Sequence, residues 1–322
     1  MTRFLGLLFS VVLVAGLAGA APTARPVPAV YAYLDGAIAL IRKNALDRDR
    51  VDWPVVRANA LRMAGDATTT ADTYPAIEYV IAALHNRHSF LRRPGTMTPP
   101  GADVIEVPSG GMADERVAHL TIPHFQLDPA GERRYFEAGV AAVRQLDSAA
   151  LCGWIVDLRD NGGGNMWPML TVLAPLLGDG TLGAFAGPDG TRTDWVLRDG
   201  RVSVGGEVVA AETNTTRLAR PRPPVAVLAS SNTASSGEAT LIAFRGLDRV
   251  RTFGQATAGF ATANEIYPLS DGARIILTIA RDVDRTGRVY DGGPIAPDVS
   301  IPAKAPPGDV VEAARAWLHT RC

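Results

Sequence analysis

Two stretches constrain the fold more than any others: "GWIVDL" at 153–158 and "PPVAVLAS" at 223–230. Each is a continuous apolar run that stops in a turn rich in glycine or serine, and each is followed by a helix-like pattern, "MWPMLTVLAPLLG" and "GEATLIAF". Strands without polar alternation are buried on both faces, and such strands alternating with helices make an α/β fold with a parallel sheet. The neighbouring segments agree. "RVAHLTIPHFQL" reads as a strand, "DPAGERRYFEAGVAAVRQLDS" as a helix starting at Asp128 or Pro129, and "VRTFG" as a further strand. The turn-rich segment 184–223 reads as hairpins, "ANEIYPLSDGARIILTIARDVDRTGRV" as a strand pair, and "PGDVVEAARAWLHT" as a terminal helix. In folds of this class functional groups gather at the carboxyl ends of the strands.

The N-terminus has a different logic. "MTRFLGLLFSVVLVAGLAGA" places Arg3 before an apolar run and small residues after it, the order of a secretory signal peptide ending at Ala20. The run is too short to span a bilayer comfortably and no second candidate follows, so no integral membrane segment is expected once residues 1–20 are removed. The chain is then exported, to the periplasm or the medium. Residues 29–92 read as helical, which predicts a small helical N-terminal domain over 27–95. The Pro/Gly-rich "RRPGTMTPPGADV" separates it from an α/β core over 100–322. With 32 basic and 33 acidic residues, the net charge of −1 gives no basic surface for nucleic acid. The two cysteines, Cys152 and Cys322, suffice for one disulfide in an exported chain; alternatively Cys152, within "ALCGWIVDL", is a small buried apolar residue.

Chemistry-bearing residues cluster in "SSNTASSGEA". Ser235-Ser236-Gly237-Glu238 fits the S-x-x-E capping box, so a hydroxyl that merely caps a helix is one reading. A serine held exposed on a tight strand-to-helix turn, beside the free N–H groups of the helix start, is the other. A serine nucleophile needs a base. The only lysines, Lys43 and Lys304, lie in the first helix and in a proline-flanked tail. The histidines are His85, His88, His119, His124 and His319; His85 and His88 lack the glutamate of a zincin motif, so no metal is expected. The glycine turn in "IVDLRDNGGGN" is neither a P-loop nor a dinucleotide fingerprint.

The order of these motifs resembles the tail-specific, or C-terminal processing, serine peptidases, a group that includes the tricorn core and the retinoid-binding repeat modules. "GWIVDLRDNGGGN" is similar to their D-x-R-x-N-x-G-G segment, "TASSGEA" to S-A-S-A-S-E, "FGQATAGFA" to G-E-x-T-x-G-K, and "YDGGPIAPDVSIP" to G-x-G-I-x-P-D-V; "RVDWPVV" and "LHNRHSFL" match their helical N-terminal part. The resemblance implies a ClpP/crotonase-like α/β core and a peptide or protein substrate, with no cofactor. It places Ser235 on the nucleophile, and Ser236 and Gly163 on the two oxyanion-hole donors. The position of the processing-type lysine, 25 residues beyond Ser235, is Phe260, which excludes a Ser–Lys dyad there. In tricorn-type members a histidine from the helical region is the base, and here His88 matches it, with Asp291 as the orienting acid. Tricorn has a serine before that histidine whereas this chain has Arg87 there and Ser89 after it, which leaves the fourth member open. About 25 residues separate Arg93 from Val117, too few for a PDZ domain, so the resemblance is to a PDZ-less form. Because the retinoid-binding relatives use this architecture to hold an apolar ligand, a non-catalytic binder is the rival reading, and an esterase using the same site is a third. The sequence carries no signal of oligomeric state.

Overall fold

A computed structural model describes residues 28–95, 106–126 and 129–322. The signal-peptide reading of residues 1–20 and the helix start at Asp128 lie outside the described residues. Three helices come first: α1 (Pro28–Asn44), α2 (Trp53–Ala64) and α3 (Tyr74–Ala82). The rest of the chain forms two sheets with helices around them, the α/β class expected.

The first sheet is built from β2 (Ser109–Asp114), β3 (Val117–Thr121), β4 (Gly153–Asp157), β9 (Val225–Ala229), β10 (Val250–Gly254) and β13 (Val299–Ser300), in the order β13-β10-β9-β4-β3-β2. All its pairings are parallel except β2 against β3. Every residue of β4 and β9 is buried, as their unbroken apolar runs require. The second sheet holds β1 (Phe90–Arg92), β5 (Gly180–Ala186), β6 (Arg192–Arg198), β7 (Arg201–Val204), β8 (Glu207–Val208), β11 (Thr262–Pro268) and β12 (Arg274–Asp284). Its pairings are antiparallel, so the hairpin and strand-pair expectations hold.

The remaining helices are α4 (Pro129–Leu146), α5 (Met166–Val172), α6 (Ala174–Leu177), α7 (Ser236–Phe244) and α8 (Pro307–His319). The main core joins β3, β4 and β9 with α5–α7 and the start of the second sheet, whereas α8 covers the other face through Val310, Ala314 and Leu318. Helices α1–α3 bury Leu34, Ile41 and Ile77 against Ala273, Ile275 and Leu277, so the helical segment shares its core with β12.

Two local readings are corrected. The helical pattern does not run to residue 92. It stops after Ala82, His85 takes φ 52, and the Asn86 carboxamide accepts from the backbone N–H groups of His88 and Ser89. An asparagine side chain that collects backbone donors competes with helix continuation, and the chain leaves as strand β1 on β12. Strand β2 escapes prediction because "SGGMAD" has almost no apolar pattern; it is a largely exposed edge. Cys152 and Cys322 form a disulfide, with Cα atoms 4.4 Å apart, at the end of β4 remote from its carboxyl terminus.

Candidate active site

Strands β4 and β9 run parallel in register from Trp154↔Val225 to Asp157↔Leu228, so the turns that follow them emerge side by side. The turn after β9 is tied to the one after β4: the Thr233 hydroxyl donates to the Leu158 carbonyl (2.8 Å) and the Ala234 N–H to the Asn161 carbonyl (3.0 Å). Ser235 closes the turn at φ 52, ψ −119 and serves as N-cap of α7. A non-glycine residue there carries a conformational cost that surrounding bonds must offset. Those bonds converge on Glu238, which is fully buried. One carboxylate oxygen accepts from the Ser235 N–H (2.9 Å) and the Phe260 N–H (2.7 Å), the other from the Gly259 N–H (2.9 Å) and the Thr257 hydroxyl (2.5 Å). Burial pushes the Glu238 carboxyl up from its ordinary value, and these four donors pull against that rise. Glu238 thus clamps the serine turn to the 257–260 loop, a larger role than steadying a helix start.

The glycine turn after β4 supplies the opposite wall, but not as expected. Gly163 is buried and its N–H donates to the Asn161 side chain (3.0 Å), which in turn donates to the Ile122 and Pro123 carbonyls. That donor is spent, so Gly163 does not present the oxyanion N–H assigned to it. The neighbouring Gly164 is exposed, its N–H makes no hydrogen bond among the described residues, and it lines the same cavity as Ser235 and Ser236. The Ser236 hydroxyl donates to the Gly164 carbonyl (2.7 Å), which locks the two turns together. The Ser236 N–H is among the donors that any helix start leaves without an intrahelical acceptor. Gly163 has φ +105, and a Cβ there would lie 2.9 Å from the Ser235 Cβ. Its job is close approach.

His88 follows the Asn86 turn. Its carbonyl accepts from the Asn264 side chain (2.9 Å), its ring lies 5.1 Å from that of Phe260, and its Nδ1 is 2.8 Å from the Thr262 hydroxyl. Burial lowers its pKa from 6.5 to about 4, which keeps the imidazole neutral at ordinary pH. Phe260, at the place of the family lysine, therefore makes the apolar cover of the histidine. Arg87 stacks over the outer part of that cover, 5.1 Å from the ring centre.

Asp291 does not orient the imidazole in this structure. It is exposed, its carboxylate accepts from the Gly293 N–H (3.2 Å), and the position it was expected to fill at Nδ1 is held by Thr262. It lines the same cleft as His88 and Arg281. Ser89, next to His88, is structural: its hydroxyl accepts from the Thr278 N–H (2.9 Å). Among the described residues no hydrogen bond joins His88 to Ser235. Thr262 borders both cavities, the one containing Ser235 and the one containing His88. The strand acid of the D-x-R motif is likewise structural. Burial raises the Asp157 carboxyl, but bonds from His119 (3.0 Å) and Arg159 outweigh it and hold the group at about 2.

Comparison with known proteins places these features in context. Residues 116–301 match peptidase family S41. The chain is 28% identical over 272 residues to the nisin-resistance protein of Lactococcus lactis subsp. lactis, covering 84% of this chain and 83% of that one. A lipoprotein from Streptococcus agalactiae superimposes with a TM-score of 0.77 at 26% identity, covering 91% and 97% of the two chains. The photosystem II D1 C-terminal processing protease has the same fold, with a TM-score of 0.62 at 16% identity and coverage of 91% and 97%.

Proposed function

Since the chain belongs to peptidase family S41, and is thus a peptidase, we propose that it hydrolyses peptide bonds through an acyl-enzyme on Ser235, with His88 as base. The observation that carries this reading is the backbone of Ser235, held at φ 52 on a strand-to-helix turn beside the unspent N–H groups of Gly164 and Ser236. Strain of that kind persists where surrounding structure over-determines it, and here a capping box with Glu238 holds Ser235 at the start of α7 while the residue lines a cavity.

In the proposed cycle Nδ1–H of His88 donates to Thr262, which leaves Nε2 unprotonated and able to take the Ser235 hydroxyl proton. The Ser235 Oγ attacks the peptide carbonyl, and the Gly164 and Ser236 N–H groups receive the oxyanion. The imidazolium then gives its proton to the departing amine. Water, deprotonated by the same ring, hydrolyses the ester and restores the serine. Thr262 is a positioning residue that sets the ring tautomer, the task usually given to an acid. Contacts between base and nucleophile are commonly loose in unliganded sites and tighten with substrate bound.

We place this activity outside the cytoplasm. The leader-like residues 1–20, the Cys152–Cys322 disulfide and the likeness to a lipoprotein support export. The test pairs fluorophosphonate labelling with hydrolysis of an unstructured peptide. Labelling that disappears in Ser235→Ala, with hydrolysis reduced at least about 1000-fold in Ser235→Ala and His88→Gln, is the expected result. Full hydrolysis by Ser235→Ala would overturn the reading.

A further inference from the structure

The cavity that contains Ser235 has an acid among its wall residues that the reaction above does not use. Asp282 is 2% exposed, its buried Oδ1 has no hydrogen-bond partner among the described residues, and it borders the ≈ 240 Å³ cavity with Ser235, Trp167 and Phe185. A buried acid without partners is costly, so its retention beside a reactive serine calls for an occupant. Resting on the Ser235 reading, we propose that this cavity receives the side chain on the acyl side of the scissile bond, and that Asp282 makes it select lysine or arginine.

The side of the bond follows from the arrangement of the two cavities. The leaving amine must depart toward the base that protonates it. His88 lies in the neighbouring cleft beyond Thr262, whereas the Asp282 cavity contains Gly164 and Ser236, the oxyanion donors. The carbonyl that enters those donors therefore brings its own side chain into the Asp282 cavity. At ≈ 240 Å³ the space is below the size of sites for drug-like ligands and suits one side chain.

The chemistry follows from charge. Asp282 and Phe185 are direct cross-strand partners on β12 and β5, so both project from one face of the sheet. Arg281, one residue earlier, falls on the other face and pairs with Asp47 (3.3 Å). Among the described residues no lysine or arginine lines the Asp282 cavity. The second carboxyl acting on Asp282 is Glu238, which is also buried. Burial, reinforced by Glu238, pushes the Asp282 carboxyl well above its usual value in the unliganded cavity. A cation entering the cavity reverses both effects by supplying the missing counter-charge and hydrogen bonds. The walls suit its stem: Trp167 and Phe185 stand edge to face with centroids 6.2 Å apart, a surface for methylenes and for the face of a guanidinium. A neutral amide fills the same volume without supplying the charge.

Two measurements test this. Peptides differing only at the residue before the scissile bond should be hydrolysed with kcat/KM at least about tenfold higher for Arg or Lys than for Gln or Met, and Asp282→Asn should bring that ratio toward one. Equal rates in the wild type, or a ratio unmoved by Asp282→Asn, would sink the proposal. The second measurement needs neither catalysis nor a variant: calorimetry of the full chain with n-butylguanidinium and its neutral analogue n-butylurea. The guanidinium should bind at least about tenfold more tightly, and equal or absent binding overturns the assignment. Failure of the parent reading looks different, because it removes fluorophosphonate labelling of Ser235 while leaving the preference for n-butylguanidinium in place.

Discussion

The low basicity of His88 is the property of the site most open to a quantitative test, because one side chain supplies much of its cover. The ring of Phe260 lies 5.1 Å from the imidazole at an interplanar angle of 45°, and burial alone accounts for the fall from 6.5 to about 4. Phe260→Ala removes this cover and admits water to the ring. Complete release would restore the ordinary value. Thr262 and the start of β11 still cover the other side, so a rise of about one to two and a half units is expected. At pH about 4.5 the neutral fraction of His88 should then drop from about three quarters to a quarter or less. Phe260→Leu keeps apolar bulk in place and should leave the transition within about half a unit of the wild type.

The assay is the profile of kcat/KM between about pH 3.5 and 8, which reports groups of the free enzyme, run beside an NMR titration of the His88 ring protons. The wild type should lose activity only as the pH falls through about 4. The same shift has a stability consequence. Folded His88 titrates below its unfolded value of 6.5, so between 6.5 and 4 the unfolded chain binds more protons than the folded one. The stability associated with neutral His88 is complete above 6.5 and declines as pH falls toward 4, by at most about 3 kcal/mol. Urea midpoints should follow that direction in the wild type and less so in Phe260→Ala. A wild-type ring that titrates near 6.5, or an acid limb that Phe260→Ala fails to move, would refute the reasoning.

Three further outcomes are expected. Glu238→Gln replaces one acceptor oxygen by an NH2 that faces two donors, so about 2–6 kcal/mol of stability should be lost, read from urea unfolding, together with most of the hydrolysis. Gly163→Ala puts a methyl 2.9 Å from the Ser235 Cβ at φ +105, and kcat should fall about 100-fold through displacement of the nucleophile. Replacing Cys152 and Cys322 together by alanine opens a link across 170 residues, with a loop-closure limit of about 5 kcal/mol in thermal or urea unfolding, while kcat/KM stays within about twofold because the bridge lies at the end of β4 away from the site.

How far the site could be read in advance depended on whether each role was local or made by strand pairing. The buried runs at 153–157 and 225–229 and the serine turn are local patterns, and the structure has two buried strands and a strand-to-helix turn there; the base candidate His88 lines a separate cleft that meets the Ser235 cavity at Thr262. Phe260 was legible as an absence of lysine, but its contact with His88 was not. Thr262 and Asp282 were invisible for a different reason. In sequence both are ordinary members of alternating strands, and their meaning comes from register: Thr262 opposite Arg281, Asp282 opposite Phe185. A slip of one residue would exchange Asp282 with Arg281 between the two faces and reverse the charge of the cavity beside Ser235.

The glycine turn shows the intermediate case. The resemblance put an oxyanion donor at Gly163, and nothing in three consecutive glycines corrected it, yet the spent N–H there has a local cause. An asparagine two residues before a glycine readily accepts that residue's N–H, and Asn161 does so at Gly163. The next N–H, at Gly164, is therefore the one left over. The same side chain, by donating to the Ile122 and Pro123 carbonyls after β3, fixes where that N–H stands relative to Ser236. The position of the proposed oxyanion donors is thus set by three strand ends together, β3, β4 and β9. Asn161→Asp would test the link: a carboxylate still accepts from Gly163 but cannot donate to the two carbonyls, so stability should fall by at least about 2–6 kcal/mol, while acylation of Ser235 slows far more than substrate binding weakens.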